Sequence, residues 1–365
     1  MKILYITNGI NDSGGLERVL SIKASFLADE YSYEVTILSL NNNHLNPFYT
    51  FSNKIIMKSI KVIGNPLQYI ILYIKGIRNV VSEIEPDVIA VCDDGLKAFF
   101  TPLILGKKIP IIYERHVSKL IEQHASDGIR KRITTKLKWF LMDRLGNKFK
   151  KFIVLTEGNL LEWPKLTNLQ VISNPLSFYP KESSALDSNK VIAVGKQGYQ
   201  KGYDLLLPAW KIVTQKFPNW KLEIYGTFNP EENLEKLAID LGIEKSIFLK
   251  SPVKEIEQKY LEASIYVMSS RYEGFGMVLT EAMACGVPCV SFNCNYGPSD
   301  IIKEGIDGYL AAPQNSEGLA SKLLILIEND KLRKEMGLNA KQNVQRYTPN
   351  EIVPLWDKLF KNLVK

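Results

Sequence analysis

Residues 176–190, LSFYPKESSALDSNK, gather Ser, Pro and charge and carry no apolar period, while the chain on either side alternates strand-like and helix-like segments. Such a composition reads as a linker. Downstream, Val191–Gly195 reads as a strand ending in glycine, Asp204–Lys216 as a helix, Leu222–Gly226 as a strand and Glu231–Leu241 as a helix. Ile247–Lys250 and Ile265–Ser270 are the next strands, then Val278–Cys285 is a helix and Pro288–Phe292 a strand. Upstream, Lys2–Thr7 is an apolar strand of the kind buried in parallel sheets, and a helix runs from Leu16 to about Ala28. Glu34–Leu40, Val88–Cys92, Ile109–Tyr113 and Phe152–Thr156 are further strands. Alternation of this kind builds a parallel sheet covered by helices on both faces. The chain is therefore expected to be α/β, with two Rossmann-like doubly wound domains over residues 1–178 and 186–348. Ligands are expected at the carboxyl ends of the strands and in a cleft between the two.

A chain of 365 residues suits two domains, and 45% hydrophobic with 23% charged residues is an ordinary globular composition. Disordered, collagen-like and disulfide-scaffold classes are excluded. The opening MKILYITNGI is broken by Asn8, Gly9 and Asp12 without a small-residue cleavage site, so no secretory signal is expected. The lipid-like run Ile70–Ile74 stops at Lys75, too short to span a bilayer. A cytoplasmic location is expected, free or peripheral on the inner face of the membrane. Four cysteines agree with a reducing compartment. Cys285, Cys289 and Cys294 are close in sequence, but no C-x-x-C exists and His44, His116 and His124 are distant. They read as core cysteines rather than zinc ligands.

The chemistry-bearing residues gather where strands end. Asn11-Asp12-Ser13-Gly14-Gly15-Leu16-Glu17 places two glycines before a helix. Backbone without Cβ can approach a ligand closely there, and free helix N–H groups can meet an anion, although a plain strand-to-helix turn has the same look. The run Ser269-Ser270-Arg271-Tyr272-Glu273-Gly274-Phe275-Gly276-Met277-Val278 is richer. Its glycines open a helix that can cradle a diphosphate. Glu273 before them and Glu281 about one turn into the helix are suited to accept hydrogen bonds from hydroxyls, one of a sugar and the other of a ribose. Gly195-Lys196 ends a strand and Lys201-Gly202 follows it; the two lysines can neutralise a leaving diphosphate.

Glu273 to Glu281 resembles the E-x7-E motif of the retaining glycosyltransferases of family four, the group 1 transferases with the GT-B fold. Gly14-Gly15-Leu16-Glu17-Arg18, Gly195-Lys196 with Lys201-Gly202, and Glu281 through Pro288 stand in the same order as in that family. Gly297-Pro298-Ser299-Asp300-Ile301-Ile302 and Gly305 through Leu310 complete the likeness, which runs through nearly the whole chain. The resemblance implies that Glu273 holds hydroxyls of the transferred sugar and Glu281 the ribose. It implies that Lys196 and Lys201 stabilise the diphosphate, with Lys196 standing where the family more often has Arg. Gly195, Gly274, Phe275 and backbone groups from Gly276 through Met277 to Val278 would meet the donor, with the Gly14-Gly15 loop closing on it. It implies a site histidine after the Ile109–Tyr113 strand, here His116, with Glu114 as substitute if the register slips by two.

The same resemblance implies a metal-independent retaining transfer from a nucleotide-sugar, with no cofactor and no D-x-D. The nearest sequence, Asp93-Asp94, reads as a polar loop. Gly297-Pro298-Ser299-Asp300 looks like transferases using UDP-linked hexoses or N-acetylhexosamines. The C-terminal segment after Thr348, with Trp356 and Phe360 four apart, would cross back onto the first domain. A nucleotide-sugar 2-epimerase of the same fold and a non-catalytic nucleotide-sugar-binding protein are the alternatives.

The net charge of +7 is uneven: residues 1–175 hold 23 basic and 16 acidic side chains, and the remainder 23 of each. The excess is densest from Asp127 to Phe152, where Ile129, Ile133, Leu137, Phe140, Leu141, Leu145 and Phe149 fall near helical spacing. Arg130, Lys131, Arg132, Lys136 and Lys138 lie between them. This stretch reads either as a basic amphipathic helix on an anionic membrane, suiting a lipid-linked glycan acceptor, or as a helix packed on the sheet with its basic face in water. No aromatic-basic RNA motif or zinc finger is present, so nucleic acid is not an expected partner.

Overall fold

The computed structural model describes residues 1–41, 47–122 and 128–365. His44, His124 and Asp127, which entered the zinc and basic-helix readings, lie outside the described residues. The chain divides into two compact units: Met1–Ser177 with Pro349–Lys365, and Phe178–Thr348.

The first unit contains β1 (Lys2–Thr7), α1 (Gly15–Glu30), β2 (Glu34–Leu40), β3 (Ile56–Ile60), α2 (Pro66–Ile84) and β4 (Val88–Cys92). It continues with α3 (Thr101–Leu105), β5 (Ile111–Glu114), α4 (Ile129–Gly146), β6 (Lys151–Val154), α5 (Glu157–Leu160) and β7 (Leu169–Val171). The strands form one sheet in the order β3-β2-β1-β4-β5-β6-β7, and the pairings are parallel. The reason is visible in the side chains. VIAVC of β4 and most of KILYIT of β1 are buried throughout, as residues covered on both faces must be. One core face joins Ile6, Val91 and Tyr113 to Tyr73 and Ile77 of α2, Phe99, and Met142 and Leu145 of α4.

The second unit contains β8 (Lys190–Val194), α6 (Tyr203–Lys216), β9 (Lys221–Tyr225), α7 (Leu234–Leu241), β10 (Ile247–Lys250), α8 (Ile256–Leu261) and β11 (Ile265–Met268). Then come α9 (Met277–Ala284), β12 (Cys289–Phe292), α10 (Pro298–Ile301), β13 (Gly308–Ala311), α11 (Ser316–Glu328) and α12 (Asp330–Val344). Its parallel sheet has the order β10-β9-β8-β11-β12-β13. The last helix, α13 (Pro349–Val364), belongs to the first unit. There Trp356 and Phe360 are buried, and the Tyr33 hydroxyl donates to Asp357 at 2.6 Å.

In each sheet the strand order reverses once, between β1 and β4 and between β8 and β11. Loops leaving neighbouring strands at such a point diverge and open a ligand crevice at the carboxyl edge.

Several expected boundaries move. The strand expected at Ile109–Tyr113 is Ile111–Glu114, and the helix expected from Glu231 begins at Leu234 after a short 3-10 turn over Pro230–Glu232. Pro230 initiates that turn and Asn233, with positive φ, ends it. Residues 184–188 are tied to the second unit. The Ser184 hydroxyl donates to the Ala263 carbonyl at 2.6 Å, and Leu186 is buried with its carbonyl capped by Arg333 at 2.9 Å. The four cysteines are free and buried, and burial raises the pKa of each thiol, as core residues require.

Candidate active site

In the second unit, the loops after β8 and β11 leave adjacent strands and are laced together. Arg271 grips Asp204 through both terminal nitrogens, at 2.9 and 2.6 Å, and donates to the Tyr199 carbonyl at 2.7 Å. The Ser269 hydroxyl donates to the Lys201 carbonyl at 2.8 Å. Gly202 sits at φ +62°, where a Cβ would lie 2.2 Å from the Ser269 carbonyl oxygen, so only glycine lets the loops approach this closely.

This lacing brings Lys201 and Glu273 together. The Lys201 ammonium lies 2.7 Å from Glu273 Oε1, and the Ser270 hydroxyl donates to the same oxygen at 2.6 Å. The Glu273 backbone N–H donates to the Asn295 carbonyl at 2.9 Å, fixing the loop. Gly276, at φ +98°, caps α9 and turns the chain so that Met277 and Val278 open the helix. Phe275 and Gly276 are buried and Gly274, Met277 and Val278 half-buried. Lys196 is exposed, directly after Gly195, and makes no ion pair among the described residues. Glu281 lies on α9 itself. It is 1% exposed, and Tyr260 donates its hydroxyl to Glu281 Oε2 at 3.3 Å. The sequence reading did not find Ser270, Arg271, Asp204 or Tyr260 as site-shaping residues. Arg271 and Ser270 flank Glu273 and could have been flagged by position; Tyr260 lies on another helix and gives no local signal.

In the first unit the carboxyl ends of β1, β4 and β5 carry the polar groups. Gly14 caps α1 and Gly15 begins it. Burial raises the Glu17 pKa against the opposing pull of its own backbone hydrogen bond. His116 is not a surface residue: its side chain is 5% exposed, and Nε2 lies 3.3 Å from Glu114 Oε2. Glu114, the last residue of β5, is fully enclosed and forms a short ion pair with Lys23 from the middle of α1. It is therefore a partner of His116 rather than a substitute for it. Lys23 is completely buried, with its ammonium 3.9 Å from the Trp356 ring centroid and 5.0 Å from that of Tyr5.

Cys92, Glu114 and His116 form the one group of metal-type side chains found among the described residues, their donor atoms within 4.8 Å of each other. The Lys23 ammonium already occupies the cationic position against Glu114, so a divalent ion there would meet a buried like charge. Asp93 and Asp94 are likewise engaged with protein cations. Lys97 lies 3.4 Å from Asp93 and Arg115 lies 3.4 Å from Asp94. Burial raises the Asp93 pKa despite Lys97 and the hydrogen bonds from Gly95 and Asn8.

The basic stretch resolves into α4 and a short tail. Among its apolar residues, Leu145 and Phe149 are buried, and Met142 packs beside them. Ile129, Ile133, Leu137 and Phe140 do not cover the sheet; they are 53–78% exposed. Arg130, Lys131, Arg132 and Lys136 are exposed alongside, while Lys138 pairs with Glu122 at 2.6 Å. No helix among the described residues is long and apolar enough to cross a membrane.

The description "Glycosyl transferases group 1" belongs to the family model that matches residues 178–343. The chain is 32% identical over 369 residues to the amylovoran biosynthesis glycosyltransferase AmsD of Erwinia amylovora, covering 98% of this chain and 99% of that one. It is 26% identical to an α-1,4-N-acetyl-D-galactosaminyltransferase of Campylobacter jejuni that acts on a diphosphoundecaprenol-linked glycan, with 98% of each chain covered. A crystal structure of an S. aureus TarM variant with fondaparinux, α-GlcNAc-glycerol and UDP superposes with a TM-score of 0.77 at 18% identity, over 98% of this chain and 99% of that one. With the paired parallel-sheet units, the glycine-turned α9 and near full-length identity above 30%, the chain belongs to the group 1 glycosyltransferases of family four and has their GT-B fold.

Proposed function

We propose that this glycosyltransferase moves a hexose or N-acetylhexosamine from a UDP-sugar to a growing, lipid-linked surface glycan, with retention of anomeric configuration and without a metal. The observation that carries the reading is the Lys201–Glu273 pair at the switch point of the second sheet, beside the N-terminus of α9. The nucleotide diphosphate lies against that helix start, where unsatisfied N–H groups favour an anion. Lys196 and Lys201 take up the charge that develops as the C1–O bond to the diphosphate breaks. Glu273 accepts hydrogen bonds from sugar hydroxyls and Glu281 from the ribose. The acceptor hydroxyl forms the new C1–O bond on the face the diphosphate leaves, and its proton passes to the departing phosphate oxygen. Lysines supply the positive charge a metal would otherwise provide. UDP in the TarM complex and the diphosphoundecaprenol glycan of the Campylobacter relative support the choices of donor and acceptor.

The exposed faces of α4 and α2 support the lipid-linked acceptor. Leu67, Ile70 and Ile71 of α2 are 54–68% exposed, and both helices cover the same face of the first sheet. Exposed apolar residues at i, i+4 and i+8 on α4, flanked by four bases, suit an anionic bilayer surface.

Thermal shifts with UDP, GDP, ADP, dTDP and their sugars test the donor reading. A rise specific to uridine nucleotides, lost in Glu281→Ala relative to its own baseline, is expected. A folded protein shifted by none of them would overturn it.

A further inference from the structure

His116 reaches its position through a chain of buried groups that starts on another element. Lys23 stands on α1 among Val19, Leu20, Ala24 and Leu27, so an ammonium occupies the apolar face of a helix. It binds Glu114 of β5, and the carboxylate oxygen that accepts from Lys23 is the one that faces His116 Nε2 at 3.3 Å. Burial alone would raise the Glu114 pKa, but Lys23 and His116 outweigh it and hold the group below its ordinary value. An ionised carboxylate only accepts hydrogen bonds. The ring atom facing it, Nε2, must therefore carry a proton. In the neutral imidazole only one ring nitrogen carries a proton. That leaves Nδ1 with a lone pair, and Nδ1 is buried and without a partner among the described residues. Arg115 Nη2 beside it in sequence is also buried and unpartnered. Buried polar atoms are ordinarily satisfied, so each exception calls for a partner such as a water or a ligand group. Glu114 from β5 and Cys92 from β4 lie beside the ring, and Glu17 from α1 interacts with it electrostatically.

We propose that Lys23 and Glu114 are positioning residues that hold His116 in its Nε2–H tautomer, so that Nδ1 accepts a hydrogen bond from a sugar hydroxyl. The assignment of a sugar rests on the transferase reading above. The orientation itself does not, and the two are tested separately.

Nitrogen-15 NMR of the full chain at about pH 8, above the ordinary histidine range, reads the tautomer directly. The protein has three histidines, so His44→Gln and His124→Gln assign the His116 signals. A protonated Nε2 and bare Nδ1 are expected for His116. A ring protonated at Nδ1 would overturn the proposal whatever the enzyme's activity. Removing Lys23 alone would strand a buried carboxylate, so the functional arm uses Lys23→Met with Glu114→Gln, which removes both charges together. In that variant the tautomer bias is expected to vanish and UDP binding to stay unchanged. Either the nucleotide-sugar or the acceptor is expected to weaken about tenfold in KM, the scale of one lost hydrogen bond. Weakening of the nucleotide-sugar assigns the hydroxyl to the donor; weakening of the acceptor alone assigns it there. A folded double variant with wild-type tautomer and kinetics would show that the pair serves stability only. If the wild type turns over no nucleotide-sugar at all, the transferase reading fails while the tautomer result stands on its own.

Discussion

Lys201 and Glu273 neutralise each other at 2.7 Å in largely buried positions, so on the proposed reading the cation that would meet the phosphate is held by a carboxylate in the free protein. This arrangement predicts opposite effects for the two residues. Lys201→Met is expected to lower kcat by about 10²–10³, the scale of a lost oxyanion donor, and to weaken UDP. Glu273→Gln keeps a hydrogen-bonding group for Ser270 and frees Lys201, so UDP binding is expected to hold or tighten while turnover falls. Calorimetric titration with UDP beside steady-state kinetics separates them; weaker UDP binding in Glu273→Gln would contradict the arrangement. Glu114 makes a second prediction through pH. Its pKa is lowered in the folded state from the ordinary 4.5. The pair therefore contributes stability above that pH, and the contribution is lost as pH falls through the lower folded value. Burial raises the carboxyls of Asp93, Glu162 and Asp307, which pulls stability the other way as pH rises. These contributions cancel in the difference between wild type and the Lys23→Met, Glu114→Gln variant. That melting difference is expected to be largest near neutrality and to narrow below about pH 4.5; a gap independent of pH would show that the ion pair is not its source.

At the scale of elements, the central strands were the legible part, while the edge strands Ile56–Ile60, Leu169–Val171 and Gly308–Ala311 were not read. Runs such as VIAVC can only be covered on both faces, and the order of such runs with intervening helices leads to two parallel sheets. Boundaries moved by one or two residues because hydrogen bonding, not apolarity, decides where a strand stops; Glu114 ends β5 as a buried charge. The loop motif around Glu273 was legible because its glycines directly precede a helix, whereas Asp204, the partner of Arg271, and Tyr260, the partner of Glu281, come from other helices. Lys23 left a trace, a lysine at the buried spacing of Val19, Leu20, Ala24 and Leu27, but a lysine reads as solvated until its partner on β5 is known. The face of α4 was not legible, since periodicity gives a stripe without saying which side the sheet takes. The sheet takes Met142 and Leu145 and leaves Ile129, Ile133 and Leu137 outside. Replacing those three by Ser is therefore expected to leave the melting temperature nearly unchanged, as for surface sites generally. The same change is expected to reduce co-sedimentation with anionic vesicles. A large loss of stability instead would mean that the stripe is covered by protein, a second copy included. Trp356 on α13 is the contrasting case. It is buried against Phe360 and lies under the Lys23 ammonium, so Trp356→Ala is expected to cost about 3–5 kcal/mol in chemical denaturation.

For the whole molecule, charge is what distinguishes the two units. The first unit holds 26 basic and 18 acidic side chains, and the second 20 and 21. If this asymmetry only kept the protein soluble, its bases would be scattered; instead Arg130, Lys131, Arg132 and Lys136 flank an exposed apolar stripe on one helix. Bases near an anionic bilayer contribute about 1 kcal/mol each at low salt, so these four supply up to about 4 kcal/mol there. The apolar residues add a part that salt does not screen. Binding to vesicles rich in anionic lipid is therefore expected to fall steeply as salt rises from about 0.05 to 0.5 M, because the Debye length shrinks from above 10 Å toward a few ångströms. A residual, salt-resistant fraction should remain, and it should disappear in the Ile129, Ile133 and Leu137 variant. Replacing the four bases by Gln is expected to remove the steep part and leave the residue. Equal binding to neutral and anionic vesicles, or binding unaffected by either set of substitutions, would separate the charge asymmetry from the membrane and return the acceptor question to soluble glycans.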